Sequence, residues 1–160
     1  MSANPEIQAS AIADAVRAGS VSARSTVQAS LDRIAATEPR VNAFTEVLAE
    51  RALRRADVVD AHPRRARMKL AGVPFAVKNL FDVAGLTTLA GSKIERSRPP
   101  AARDAALIRR LEAEGAVLVG ALNMDEYAYG FTTETTHYGA TRNPHHLTRA
   151  SAAPSAGPAA

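Results

Sequence analysis

Residues 70–82 read Leu-Ala-Gly-Val-Pro-Phe-Ala-Val-Lys-Asn-Leu-Phe-Asp, and this segment gives the strongest indication of the fold. A short apolar run over residues 73–77, bounded by Gly72 and Asn79, is typical of a buried β-strand. Lys78 follows this run directly. Partial desolvation at the end of a strand disfavours the charged form of a lysine, and a neutral amine can accept a proton from a serine hydroxyl. Lys78 is therefore a candidate general base, and the alternative is a lysine that merely ends a strand.

Three amphipathic helices are predicted on the N-terminal side of this strand. Their apolar residues recur at helical spacing. Gly19 provides a helix stop and Ser22 a helix N-cap between the first two helices, and Pro39 is expected just past the end of the second. The predicted helices span residues 6–18, 23–37 and 48–59.

One further helix and one further strand are predicted on the C-terminal side. Asp104 is the expected N-cap of the helix, Gly115 its end, Gly120 a turn after the strand, and Asn123 the cap of a last short helix. A strand–helix–strand succession of this length predicts a parallel or mixed sheet, and so an α/β fold. These elements are a helix over 105–114, a strand over 116–119 and a helix over 124–129.

The composition fits one modest domain. The 160 residues are 46% hydrophobic, with 4% aromatic residues and no Trp. The absence of Cys excludes disulfides, thiolate metal sites and a cysteine nucleophile. No apolar stretch approaches the ~20 residues of a membrane-spanning helix, and residues 1–10 lack the features of a secretory signal. We expect a cytoplasmic protein that does not insert into a membrane.

A basic stretch lies between residues 51 and 69. No aromatic residues for base stacking are interleaved with it, and acidic residues are mixed in. We interpret it as a solvated helix face and a linker, and expect no nucleic-acid partner. The basic residues are Arg51, Arg54, Arg55, Arg64, Arg65, Arg67 and Lys69.

The sequence pattern divides the chain into three parts. These are a helical region over 1–65, a strand-and-helix region over 66–149 and a low-complexity tail over 150–160.

Two further groups invite a chemical interpretation. His137, His145 and His146 match no common spacing of metal ligands, and we expect no metal site. Asp125 and Glu126 are adjacent, so on a helix they point about 100° apart and cannot form an acid/base pair. They are expected to be charges at a helix N-terminus.

Several segments, in order, resemble the amidase signature family of serine hydrolases, which use a Ser-cisSer-Lys triad. Residues 121–134 and 136–139 are similar to the carboxybiuret hydrolase branch of that family. The resemblance covers residues 70–149. The matching segments are Gly72-Val73-Pro74, Ala76-Val77-Lys78-Asn79, Gly115-Ala116-Val117-Leu118-Val119-Gly120, Asn123-Met124-Asp125-Glu126-Tyr127-Ala128 and Thr141-Arg142-Asn143-Pro144.

The resemblance implies a fold, a reaction and a site. The fold is α/β, with the N-terminal helices packed on the first strands of an incomplete amidase-signature mixed sheet. The reaction is hydrolysis of the C–N bond of a small amide or ureido compound, with Lys78 as the general base and no cofactor. Met124 and Tyr127 would line the substrate channel, although packing explains both residues equally well.

The tail departs from the family. Where the family continues as Gly-Gly-Ser-Ser-Gly-Gly-Ser, this chain has Pro154 at the position of the cis-serine and Ser155 beside it. Ser155 could act as the relay serine if the loop shifted by one residue. We expect an inactive N-terminal fragment, which a frameshift, a pseudogene or a truncated gene would each produce. The alternatives are a fragment of the glutaminase-like chain of a tRNA-dependent amidotransferase and a non-catalytic module that pairs with a complementing amidase fragment.

Overall fold

The computed structural model describes residues 8–130, 132–134 and 137–150. It contains four α-helices within those residues: α1 (Ala9–Ala18), α2 (Ala23–Val41), α3 (Ala49–Asp60) and α4 (Ala106–Ala113). The strands are β1 (Phe44–Val47), β2 (Pro74–Lys78), β3 (Val117–Leu122), β4 (Arg142–Asn143) and β5 (His146–Ala150). Short 3-10 turns occur at Arg65–Arg67, Ile94–Ser97 and Glu126–Ala128.

The main sheet is mixed and has the strand order β1-β3-β2. Strand β2 runs parallel to β3, with α4 in the connection between them, and β1 runs antiparallel to β3. Lys78 and Phe44 both lie opposite Leu122, on its two sides. Strands β4 and β5 form a separate hairpin. The predicted α/β fold with a mixed sheet is confirmed.

The two faces of β3 carry two different layers of helices. Val117 and Val119 pack in one cluster with α1, α2 and α3, whereas Leu118 packs in another with Ile108 of α4. This division follows from the alternation of side chains along a strand. All six residues of β3 are buried, so this strand is the centre of the core.

The beginning of α2 was predicted correctly and its end was not. The Oγ atom of Ser22 accepts a hydrogen bond of 3.0 Å from the backbone N–H of Ser25, which confirms the N-cap. Pro39 lies inside the helix, not past its end. The helix continues because Val41 is buried and the carboxylate of Glu38 accepts the N–H groups of the two residues that follow Asn42.

Three predictions on the C-terminal side were wrong. Asp104 does not cap α4, because its carboxylate is bound by Arg51. Gly120 lies within β3, where a Cβ atom would be 2.6 Å from the carbonyl oxygen of Glu46. A glycine is needed there for the close approach of another strand, not for a turn. The expected helix over 124–129 is a single 3-10 turn.

None of the described helices combines the length and the apolar character that crossing a bilayer requires.

Candidate active site

Lys78 is the last residue of β2, and its side chain is half-buried. The parallel neighbour β3 ends at Leu122, directly opposite Lys78. The segments that follow the two strands therefore begin at the same edge of the sheet. In open α/β sheets ligands bind outside the carboxyl ends of parallel strands, so this edge is the candidate active site.

Asn79 fixes the chain immediately after Lys78. Its backbone N–H donates to the carbonyl of Leu122, at 3.0 Å, and its own carbonyl accepts from the N–H of Ala90, at 2.7 Å. Its buried side chain donates to Thr45 Oγ1, at 2.6 Å, and accepts from the N–H of Leu89, at 3.0 Å. Because both its backbone and its side chain are bonded, Asn79 ties the segment after β2 to both β1 and β3.

The segments that follow β2 and β3 contact each other closely. The backbone N–H of Tyr127 donates to the carbonyl of Ala90, at 2.8 Å. A Cβ atom on Gly91 would lie 2.6 Å from the carbonyl oxygen of Met124, so a glycine is required there. Met124 itself is fully buried, whereas the side chain of Tyr127 is 55% exposed. The two predicted channel residues therefore lie near each other in different environments.

Asp125 organises the segment after β3. It is completely buried, and Oδ2 accepts backbone N–H groups from Thr133, at 2.9 Å, and from Thr132, at 3.3 Å. A Cβ atom on Gly130 would lie 2.5 Å from the same carboxylate. Asp125 and Glu126 do lie at the beginning of the 3-10 turn Glu126–Ala128, but the Asp125 carboxylate accepts N–H groups from residues 132 and 133 and does not cap the turn.

An open crevice of about 510 Å³ lies beside the junction, the place where the segments that follow β2 and β3 contact each other. The hydroxyl of Tyr127 donates to Oε1 of Glu95, at 2.8 Å, and Glu95 also forms an ion pair with Arg98. Glu95 is 6% exposed, so a nearly buried carboxylate forms part of the crevice wall. The polar residues that line the crevice are Asp82, Thr88, Glu95, Arg98, Arg103 and Tyr127.

The structure brings most of the predicted site residues to one edge of the sheet. Lys78 ends β2 there, and the segment with Met124 and Tyr127 follows the neighbouring strand β3. Ser155 lies outside the described residues. Within the described part of the chain, no three His, Asp or Glu residues are grouped as metal ligands. His137 Nε2 instead lies 3.5 Å from Glu126 Oε1, and His146 Nδ1 lies 2.9 Å from Thr148 Oγ1.

Asn79 and Glu95 also shape this edge of the sheet, and neither was predicted from the sequence as a site residue. For Asn79 a signal existed, because an Asn directly after a buried strand and a lysine is well suited to bond the following turn. For Glu95 the signal was weak: it is one acid in a segment that also contains Lys93, Arg96 and Arg98.

Comparison with known proteins places the chain in a family. A profile of the Amidase family matches residues 25–160. Over 150 residues the chain is 55% identical to the AtzE component of 1-carboxybiuret hydrolase from Pseudomonas sp. (strain ADP), covering 91% of this chain and 32% of that protein. It is 46% identical over 148 residues to the A component of the glutamyl-tRNA(Gln) amidotransferase from Anaeromyxobacter dehalogenans (strain 2CP-C), covering 91% of this chain and 30% of that protein.

Solved structures give the same result. One is described as an unexpected vestigial protein complex that reveals the evolutionary origins of an s-triazine catabolic enzyme; it has a TM-score of 0.85 and 54% identity, and covers 91% of this chain and 32% of the other. A 6-aminohexanoate cyclic dimer hydrolase has a TM-score of 0.78 and 32% identity, and the match covers 89% of this chain and 29% of that hydrolase. The chain spans about a third of the length of the curated relatives it matches. It belongs to the amidase signature family.

Proposed function

We propose that this chain forms the N-terminal part of a hydrolase that cleaves the C–N bonds of small linear amides or ureido compounds of the carboxybiuret type. The observation that carries the proposal is the position of Lys78 at the end of β2, beside the segments that follow β2 and β3. The chain that holds this lysine is 55% identical to the AtzE component of a carboxybiuret hydrolase. We further propose a cytoplasmic location.

In the proposed mechanism Lys78 is the general base of a Ser-cisSer-Lys triad. A serine Oγ attacks the amide carbonyl and passes its proton to the relay serine, which passes its own proton to the neutral amine of Lys78. The leaving nitrogen takes up a proton as the C–N bond breaks, and water then hydrolyses the acyl-enzyme. No step requires a cofactor.

We propose that the 160-residue chain has no turnover when it is produced alone. It carries the lysine of the triad, but Pro154 falls on the position of the relay serine and has no hydroxyl to pass a proton. Ser155 is the remaining candidate for a relay.

A second candidate is part of the A component of a tRNA-dependent amidotransferase. The 46% identity to that component of the glutamyl-tRNA(Gln) amidotransferase favours it, whereas the 55% identity to AtzE favours the first proposal. Genes for the other amidotransferase components beside this one, together with glutaminase activity, would support the second candidate.

The test uses a chimera in which residues 1–149 of this chain are continued by the corresponding C-terminal part of AtzE. We expect the chimera to hydrolyse carboxybiuret-type substrates and Lys78→Ala to lower kcat at least ~10³-fold, because the general base is lost. Lys69→Ala, at an exposed lysine, is the matched control and should leave kcat unchanged. An inactive chimera, or full activity in Lys78→Ala, would refute the proposal.

A further inference from the structure

Unusual backbone conformations are concentrated where the segments after β2 and β3 meet. Of the five non-glycine residues with positive φ in the described part of the chain, four lie in these segments: Ala90, Tyr127, Ala128 and Thr133, with φ of 47°, 50°, 61° and 55°. Such conformations are unfavourable for residues with a Cβ atom and persist only where the surroundings hold them. Contacts between the two segments therefore maintain a backbone conformation that neither segment would adopt by itself.

Tyr127 is held at both of its ends by the segment that follows Lys78. Ala90 accepts its backbone N–H at 2.8 Å, and Glu95 accepts its hydroxyl at 2.8 Å. Glu95 is nearly buried and forms an ion pair with Arg98, so its carboxylate is held in place as a hydrogen-bond acceptor. The Tyr127 side chain between these two anchors is largely exposed and lines the crevice.

We propose that Glu95 is a positioning residue and that Tyr127 is the residue through which it acts on substrate specificity. Glu95 holds the phenol so that the Tyr127 side chain forms one wall of the crevice, which receives the part of a small polar amide that does not react. This inference rests on the proposed function, because it requires a substrate bound beside Lys78.

The chemical reason is the conformation of Tyr127. A left-handed backbone is unfavourable for a residue with a Cβ atom, so without the bond from its hydroxyl to Glu95 the segment relaxes and the wall moves. The contacts affected are those with the part of the substrate that does not react. These contacts are equally strong in the ground state and in the transition state. Their loss raises KM and leaves kcat nearly unchanged.

The experiment measures KM and kcat of the chimera and its variants with a carboxybiuret-type substrate. Tyr127→Phe and Glu95→Ala should each raise KM about fivefold, the effect of one lost hydrogen bond, with kcat within about twofold of the parent. The double variant should be no worse than the stronger single one, because both remove the same bond. Glu95→Gln should stay close to the parent, since its amide oxygen still accepts the hydroxyl.

Tyr129→Phe is the matched control, because this tyrosine is 92% exposed; its KM should equal that of the parent. Unchanged KM in Tyr127→Phe and in Glu95→Ala, or fully additive effects in the double variant, would overturn the positioning role. If Glu95→Ala does not fold, the nearly isosteric Tyr127→Phe and Glu95→Gln decide alone. An inactive parent chimera refutes the proposed function, whereas an active parent with unchanged KM values refutes this inference alone.

Discussion

At position 120 the absence of a side chain lets β1 approach β3. A Cβ atom there would lie 2.6 Å from the carbonyl oxygen of Glu46 and 2.7 Å from Cδ1 of Phe44. Neither neighbour is a flexible side-chain end, because one is backbone and the other is a ring packed against the core. The fit of β1 against the central strand therefore depends on this single glycine.

We predict that Gly120→Ala lowers the free energy of unfolding by about 3 kcal/mol, through crowding that the surroundings cannot relieve. Urea unfolding of the chain, followed by circular dichroism, measures the change. Gly85→Ala is the control: no atom lies within 4 Å of its added Cβ, and its φ of +85° costs about 1 kcal/mol. An equal or smaller loss at position 120 would contradict this account of the contact.

At the scale of whole elements, Arg51 joins α3 to α4. Its guanidinium binds both oxygens of Asp104, at 2.9 and 2.8 Å, and reaches Glu112 at 3.1 Å. Asp104 also accepts the backbone N–H of Ala84, at 2.8 Å. The hydrogen bond from Arg51 is the main cause that lowers the pKa of Asp104 from its ordinary 3.8, and the same bond raises the pKa of Arg51.

We predict that Arg51→Gln lowers the free energy of unfolding at pH 7 by about 2 kcal/mol, the magnitude of charge-assisted hydrogen bonds. Because the pKa of Asp104 is lower in the folded state, its stabilising effect is present above pH 3.8 and is lost as the pH falls through the folded-state pKa. Urea unfolding from pH 7 to pH values well below 3.8 should show this loss in the parent and a weaker one in the variant.

The control is Arg54→Gln, which removes an exposed pair with Glu50 on the surface of α3. Exposed pairs contribute about 0.5 kcal/mol or less, so this variant should unfold almost like the parent. A loss as large as that of Arg51→Gln would show that the charge of α3, not the link to α4, stabilises the protein.

How well each element could be predicted depended on how local its determinants are. Helix α1, the Ser22 cap and the parallel strands around α4 follow from patterns within a few residues. Pro39, Asp104 and Gly120 were misjudged because burial or partners distant in sequence decide their roles. The same holds for the site: Lys78 at a strand end is a local signal, whereas the bond between Glu95 and Tyr127 spans 32 residues.

At the scale of the whole molecule, the described sheet has open sides. Strands β1 and β2 are its two edges, and within the described residues each pairs with β3 alone. Unpaired edges have backbone groups available for another strand. We therefore propose that the partner of this chain is a complementing amidase fragment or subunit.

We predict that a C-terminal fragment of AtzE raises the thermal midpoint of this chain and restores turnover. A partner that binds the folded state at 100 times its Kd stabilises it by about 2.7 kcal/mol. Calorimetry of the mixture and an assay of amide hydrolysis test both expectations. An unchanged midpoint at saturating fragment would contradict a complementing role.

The pairing of β1 with β3 has a consequence for synthesis on the ribosome. Thr45 and its bonding partner Ala121 are 76 positions apart, so β1 emerges long before the strand it pairs with. Contacts of such long range form slowly, and a nascent chain that exposes an unpaired strand is prone to aggregation. Translation pauses before β3 has left the ribosome would therefore reduce the soluble yield, whereas pauses after β3 has emerged would not.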